Sequence, residues 1–319
     1  VLHIRVICPP ESTDAVLSAL RAEAGATLVT VQRGAAVEPA GDVIEAEVAR
    51  ESGNDVLRML KSHNVERTGG IVIESPGTVL SAAAQRAVKA APGDPTDAVV
   101  WEGLVAQTHE ESTLNPTFLA FITIACLLAV VGVATDSPVT VVGAMVVGPE
   151  FGPLAAIAVA LVRSDFRLAR RSAIALLAGF PFAMGIAALA SMLFEHLGWI
   201  TVNSIDDIHN VDFIYQVGPF SLVVALLAGA AGMLSLVTSK SAALVGVFIS
   251  VTTIPAAGFA AVAATIGEWE KAFMSIGQLG VNMTGIVIAG IIVLQLRPRH
   301  GSEGGPLHRL RRWWLDQND

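Results

Sequence analysis

An α-helical multi-pass membrane domain joined to a small α+β domain is the fold class this sequence predicts, and three observations carry it. The 319 residues have a mean hydropathy of +0.62 and only 15% charged residues, against about 25% in soluble chains. Six long apolar stretches follow residue 114, each with the roughly 20 residues that a membrane helix needs. Residues 1–76 instead alternate between short β-like runs and amphipathic helical runs.

Charge and cysteine usage narrow the class. The net charge is −8, and residues 1–111 hold 16 acidic against 9 basic residues. That excess argues against nucleic acid or an anionic lipid surface as the partner of this part. Cys8 falls in a strand-like run and Cys126 in an apolar one, so no disulfide framework is expected. The first residues read as a strand and lack the basic start of a secretory signal.

In chain order, residues 2–8 form the first strand, stopped by Pro9-Pro10. Ser12 is the expected N-cap of a helix that places Val16, Leu17, Leu20 and Ala24 on one face. A second strand covers residues 26–32. After the turn at Ala40-Gly41-Asp42, residues 43–48 alternate cleanly as a third. Residues 54–63 form a second helix with Val56, Leu57 and Leu60 apolar, and Gly69-Gly70 precede a last strand at 71–74. The order β-α-β-β-α-β is that of the ferredoxin-like split βαβ, here a cytoplasmic domain over residues 1–76. Residues 77–113 are expected to be a linker with a short helix at 81–90. A longer interfacial helix at 98–110 is opened by Pro95-Thr96-Asp97.

The transmembrane domain spans residues 114–296, with helices drawn at about 114–134, 139–162, 168–194, 217–237, 242–266 and 273–296. Arg163, Arg167, Arg170 and Arg171 follow the second span, Lys240 the fourth, and Arg297 and Arg299 the sixth. Lys271 alone among the later Lys and Arg residues falls on the opposite side, with Asp136, Glu195, Asp206, Asp207, Asp212, Glu268 and Glu270. By the positive-inside rule this predicts a multi-pass cell-membrane protein with both termini cytoplasmic. Residues 297–319 form a basic tail, whose Arg309, Arg311, Arg312, Trp313 and Trp314 suit anchoring at headgroups.

The second span is interrupted near its centre by Gly148-Pro149-Glu150-Phe151-Gly152-Pro153. Prolines remove backbone donors, glycines weaken a helix, and a carboxylate at mid-depth is costly. The fifth span carries a related feature, Pro255-x-x-Gly258, preceded by Val245-Gly246 as Val142-Gly143 precede Pro149-x-x-Gly152. Gly179 and Gly185 follow in the first set, and Gly280 and Gly285 in the second. Three spans per set imply two inverted three-helix repeats with broken second helices, the usual sequence pointer to a transport site. The other explanation is that small residues recur because membrane helices pack closely through them.

Val142-Gly143-Ala144-Met145, Gly148-Pro149-x-x-Gly152-Pro153, Asp165 and Val281-Asn282-x-x-Gly285-Ile286 together resemble a known family. It is domain-of-unknown-function family 389, a group of uncharacterised prokaryotic hydrophobic-domain proteins. The resemblance covers about residues 114–296 and implies a multi-pass membrane protein without supplying a substrate.

Chemistry therefore has to be read from the interruption. The half-helix after it presents free N–H groups and a dipole that favours an anion. Glu150 serves there either as a structural cap or as the carboxylate of a substrate or proton pathway. Ser250, Thr252, Thr253 and Pro255 stand at the equivalent place in the fifth span. Their hydroxyls either satisfy carbonyls freed by the proline or coordinate a desolvated ion. Gln278 and Asn282, four apart, share a face of the sixth helix, as polar glue or as part of the path. Arg163 and Asp165 form a candidate gate at the end of the broken span, against a default of a weak exposed pair.

The seven histidines show no metal-ligand spacing, and no P-loop or GxSxG sequence occurs, so no catalytic residue, metal or cofactor is assigned and an enzyme is not expected. The expected function is a transporter or channel for a small solute or ion. Its pathway holds Gly148, Pro149, Glu150, Gly152, Pro153, Ser250, Thr252, Thr253, Pro255, Gly258, Gln278 and Asn282. A small ligand on the cytoplasmic domain would regulate it, and a dimer or trimer in the lipid bilayer is expected. The alternative is a membrane-anchored sensor or oligomeric scaffold without transport.

Overall fold

The computed structural model describes residues 1–76, 78–91, 101–199, 218–238 and 253–296. The chain divides into two compact units between Leu104 and Val105.

In the first unit a four-stranded antiparallel sheet has the order β2-β3-β1-β4. Its strands are β1 (Leu2–Cys8), β2 (Ala26–Val37), β3 (Ala40–Val48) and β4 (Gly70–Glu74). Helix α1 (Pro10–Ala22) joins β1 to β2, and α2 (Gly53–Ser62) with the single turn α3 (Val65–Thr68) joins β3 to β4. Alternation puts Leu2, Ile4, Val6 and Cys8 of β1 on one face with Ile44, Ala46 and Val48 of β3, against Val16, Leu17 and Leu20 of α1 and Val56 and Leu60 of α2. The other face carries His3–Glu47 at 2.9 Å and Arg5–Glu45 at 3.3 Å. Helix α4 (Ala82–Ala90) follows, its N-terminus capped by the Ser81 hydroxyl accepting from Ala84 N–H.

Two details differ from the sequence reading. Helix α1 begins at Pro10 rather than after Ser12; a proline in the first turn loses no helical hydrogen bond, so the Pro9-Pro10 stop of β1 also starts the helix. Strand β2 runs five residues beyond the expected 32, through register shifts that include Gly34 at φ +66°.

Helix α5 (Trp101–Glu111) leads into the second unit, which contains α6 (Pro116–Ala134), α7 (Pro138–Val147), α8 (Phe151–Arg163), α9 (Phe166–His196), α10 (Pro219–Thr238), α11 (Ile254–Thr265) and α12 (Trp269–Leu296). The residues before Trp101, among them Pro95, Thr96 and Asp97, lie outside the described residues, as do Lys240, the acidic residues at 206, 207 and 212, and the tail from 297. Four of these helices, α6, α9, α10 and α12, are long and apolar enough to cross a membrane, and α7 with α8 makes a fifth if the 51° bend between them lies within one span.

Of the fifth expected span, 242–266, residues 242–252 lie outside the described residues. Its described part is α11, 12 residues long. Every residue from Ile254 to Ala263 is buried. The long helices instead keep exposed apolar residues such as Phe121, Leu177, Leu227 and Phe273. A helix buried on all sides and rich in Ala, with Gly and Pro, packs closely against its neighbours.

Candidate functional site

The two interruptions start the site. Helix α7 ends at Val147, and Gly148 leaves the helical conformation at ψ 129°. A Cβ on Gly148 would displace the Glu150 carboxylate and come within 2.7 Å of Ile254 Cγ1, so glycine leaves room for both side chains here. Pro149 follows with no N–H to satisfy, and Glu150 takes the N-cap position of α8. The first helical bond is Leu154 N–H to Glu150 C=O at 3.2 Å, and Pro153, lying before it, costs none. Gly152 lets α8 approach the end of α5: a Cβ there would be 2.6 Å from Glu111 Cβ.

Helix α11 is built alike. Thr253 is its N-cap residue, Pro255 lies in its first turn, and the first helical bond is Ala257 N–H to Thr253 C=O at 3.1 Å. Gly258 lets it pack on α6, where a Cβ would sit 3.2 Å from the Cys126 carbonyl and 3.3 Å from Val130 N.

The two helix starts meet. Thr253 Oγ1 donates to Glu150 Oε1 at 2.6 Å, across 103 residues of chain, and both side chains belong to residues with 0% exposure. Glu150 makes no side-chain cap bond to its own helix. Its carboxylate reaches to the start of α11 instead, which replaces the reading of Glu150 as the cap of α8. The buried thiol of Cys126 on α6, not singled out in the sequence, lies within electrostatic range of Glu150.

Helix α12 brings the remaining polar groups. From the turn after α11, α12 returns beside it, and Ser275 Oγ donates to Ala256 C=O at 2.9 Å. One turn further along α12 stands Gln278. Gln278 is 2% exposed and Asn282 is fully buried; Gln278 Nε2 donates to Asn282 Oδ1 at a long 3.4 Å. Gln278 Oε1 is buried and accepts no hydrogen bond among the described residues. Gln278 and Asn282 lie on α12, whose Ser275 bonds α11, and Gly148, Glu150, Thr253 and Pro255 are brought to one place. Gly152, Pro153 and Gly258 pack the helices around it, while Ser250 and Thr252 lie outside the described residues.

Arg163 and Asp165 are elsewhere, exposed at the far end of α8. Asp165 Oδ1 accepts from the backbone N–H groups of Arg167 and Leu168, both at 3.1 Å, and so caps α9. A cluster missing from the sequence reading lies on the next turn of α9, where Arg171 bonds His109 Nε2 at 2.7 Å and the Thr113 hydroxyl. Sequence distance hid it, since the partners are 62 and 58 residues apart.

The first unit holds a separate polar knot. The Asp42 carboxylate, 2% exposed, accepts from Gly34 N–H and from the Thr13 hydroxyl, both at 2.7 Å, with Arg33 at 3.7 Å. The Gly34 N–H, then the Thr13 hydroxyl, hold its pKa below the usual carboxylate range. Burial pushes the Cys8 thiol up. Glu51, 1% exposed just beyond the end of β3, has both carboxylate oxygens buried without a hydrogen-bond partner among the described residues. Among the described residues no group of three or more His, Cys, Asp or Glu is gathered to hold a metal ion.

Four apolar helices of membrane-crossing length among the described residues fit a membrane protein. Residues 145–288 match the family described as "Domain of unknown function (DUF389)". An uncharacterized protein of Methanocaldococcus jannaschii, MJ0678, is 25% identical over 198 residues. That match covers 61% of this chain and 58% of the relative, so the chain spans less than two thirds of its length. No solved structure matches the chain.

Proposed function

We propose that the protein is a membrane transporter or channel for a small solute or ion, with its site where α8 and α11 begin. The observation that carries this reading is the buried Glu150–Thr253 hydrogen bond, which joins the two interruptions at one point. Half-helices whose N-termini converge on a polar group are the arrangement in which transporters hold substrate or coupling ion. A carboxylate at such depth is expensive and is retained mainly for function. In this reading the two interruptions belong to inverted three-helix repeats, both termini are cytoplasmic, and Arg163 and Asp165 stand at the mouth of the path.

The strand order and antiparallel pairing of the first unit support a ferredoxin-like domain. We assign it the binding of a small regulatory ligand, and a homo-oligomer as the working state. The test is flux into vesicles containing the purified protein: Glu150→Gln keeps the shape and removes the charge. Transport that survives this change unaltered would remove the site reading.

A second reading has one observation in its favour, the complete burial of Glu150 and Thr253. A sealed polar contact also suits a scaffold whose helices only assemble. A protein that passes no tested ion or acid, yet assembles normally, is the outcome that selects it.

A further inference from the structure

We infer that Arg167 and Arg170, on the first two turns of α9, bind the phosphate headgroup of an anionic phospholipid. The inference stands apart from the transport reading and needs only that α9 crosses the bilayer.

The length of α9 sets the level of these residues. Its 31 residues cover about 46 Å at 1.5 Å per residue, against roughly 30 Å of hydrocarbon core, so part of the helix lies beyond the core. One face shows which part. Arg167, Arg170, Ile174 and Leu177 follow at steps of three or four, all exposed, and the exposed face continues to Leu189 and Met192. The opposite face is buried among the other helices. From Ile174 to Met192 the exposed apolar part measures about 27 Å, close to the thickness of the core. With that part in hydrocarbon, Arg170 stands about 6 Å and Arg167 about 10 Å further along the axis. Those positions lie within the headgroup layer, about 5–8 Å deep on each side, and at its outer edge. The other end of the helix carries Glu195 and His196 instead.

The charge at this level points to the partner. Arg163, the exposed last residue of α8, adds a third guanidinium, and Asp165 is the carboxylate between them in sequence. Asp165 is turned to the helix start, where its Oδ1 accepts from two backbone N–H groups. Arg171 differs from its neighbours: it is half-buried and bonds His109 and Thr113 of the segment before α6. Glu110 and Glu111 lie at the end of α5, yet among the described residues neither they nor any other group pairs with the side chains of Arg167 and Arg170. Guanidinium groups bind phosphate oxygens through paired N–H donors. A phosphate that carries acyl chains fits both halves of this face, its oxygens on the arginines and its chains along Ile174 and Leu177. A free phosphate would use the first half alone.

The experiment keeps the full chain in uncharged detergent micelles and follows thermal unfolding. Phosphatidylglycerol is titrated against phosphatidylcholine of the same acyl chains at fixed salt. Each arginine near an anionic headgroup is worth about fivefold in binding, so phosphatidylglycerol should stabilise at a concentration lower by about thirtyfold or more. Arg167→Gln with Arg170→Gln should remove about thirtyfold of that preference, and either change alone about fivefold. The two single variants carry the test if the double variant does not fold. The absence of a preference in the native protein overturns the inference. A preference that both changes leave intact also overturns it, by placing the lipid on another basic surface. Equal stabilisation by sodium phosphate does the same, since a free anion would then suffice. A double variant with altered subunit number and unaltered lipid preference makes this face a contact between copies, and likewise overturns it.

Discussion

Replacing Thr253 by Val, alone and in the Glu150→Gln background, isolates the contact on which the site depends. Valine keeps the shape of threonine and removes the one hydroxyl, which lies 2.6 Å from a fully buried carboxylate. Hydrogen bonds to charged groups contribute about 1.5–3 kcal/mol, against about 1 kcal/mol between neutral groups. Thr253→Val is therefore expected to cost about 2 kcal/mol in the native protein and about 1 kcal/mol beside the neutral amide of the Glu150→Gln variant, a coupling of about 1 kcal/mol. Reversible unfolding in mixed micelles, read by tryptophan fluorescence, resolves that difference, because unconnected sites add to within about 0.5 kcal/mol. Equal costs in the two backgrounds would refute the reasoning, for the hydroxyl would then not be bonded to a charge.

Three further outcomes follow from the packing and from the first unit. Gly229 lets α10 touch α12, where a Cβ would be 2.7 Å from Ile286 Cα and 2.8 Å from its carbonyl oxygen; Gly229→Val should cost about 1–3 kcal/mol of unfolding stability by forcing the helices apart. The pKa of Asp42 is held below its ordinary value of 3.8, so its contribution is present above that pH and is lost as pH falls through the lower, folded value. Hydrogen exchange of β2 and β3 should accordingly rise at acid pH in the native protein and lose that pH dependence in Asp42→Asn. Glu51→Met, which replaces a buried carboxylate lacking hydrogen-bond partners among the described residues by an apolar chain of similar length, should stabilise the first unit by about 1–3 kcal/mol in denaturant unfolding.

How much of this is legible in the sequence depends on the range of the interaction. Hydropathy locates α6, α9, α10 and α12 to within a few residues because a membrane helix must be apolar over its whole length. The alternation of residues 2–8 and 43–48 likewise announces the buried face of the sheet. Proline and glycine mark the break before Glu150, since their backbone effects are local. Ser12 misleads because a hydroxyl is a common cap, yet Pro10 in the first turn needs none. The contact between Glu150 and Thr253 is beyond reach, as nothing in either segment encodes a partner 103 residues away. The same holds for Cys126 near Glu150, for Ser275 on Ala256, and for Arg171 with His109. The burial of α11 on all sides is likewise not written in its composition, which is that of any apolar helix.

The central claim, that the meeting of two helix starts at Glu150 is a transport site, is tested most directly by solute and ion flux into vesicles loaded with native or Glu150→Gln protein at matched incorporation. The account predicts flux with the native protein and its loss, by about tenfold or more if one charge-assisted contact is decisive, with the variant. Equal flux, in a variant that folds and assembles as the native protein does, would contradict it.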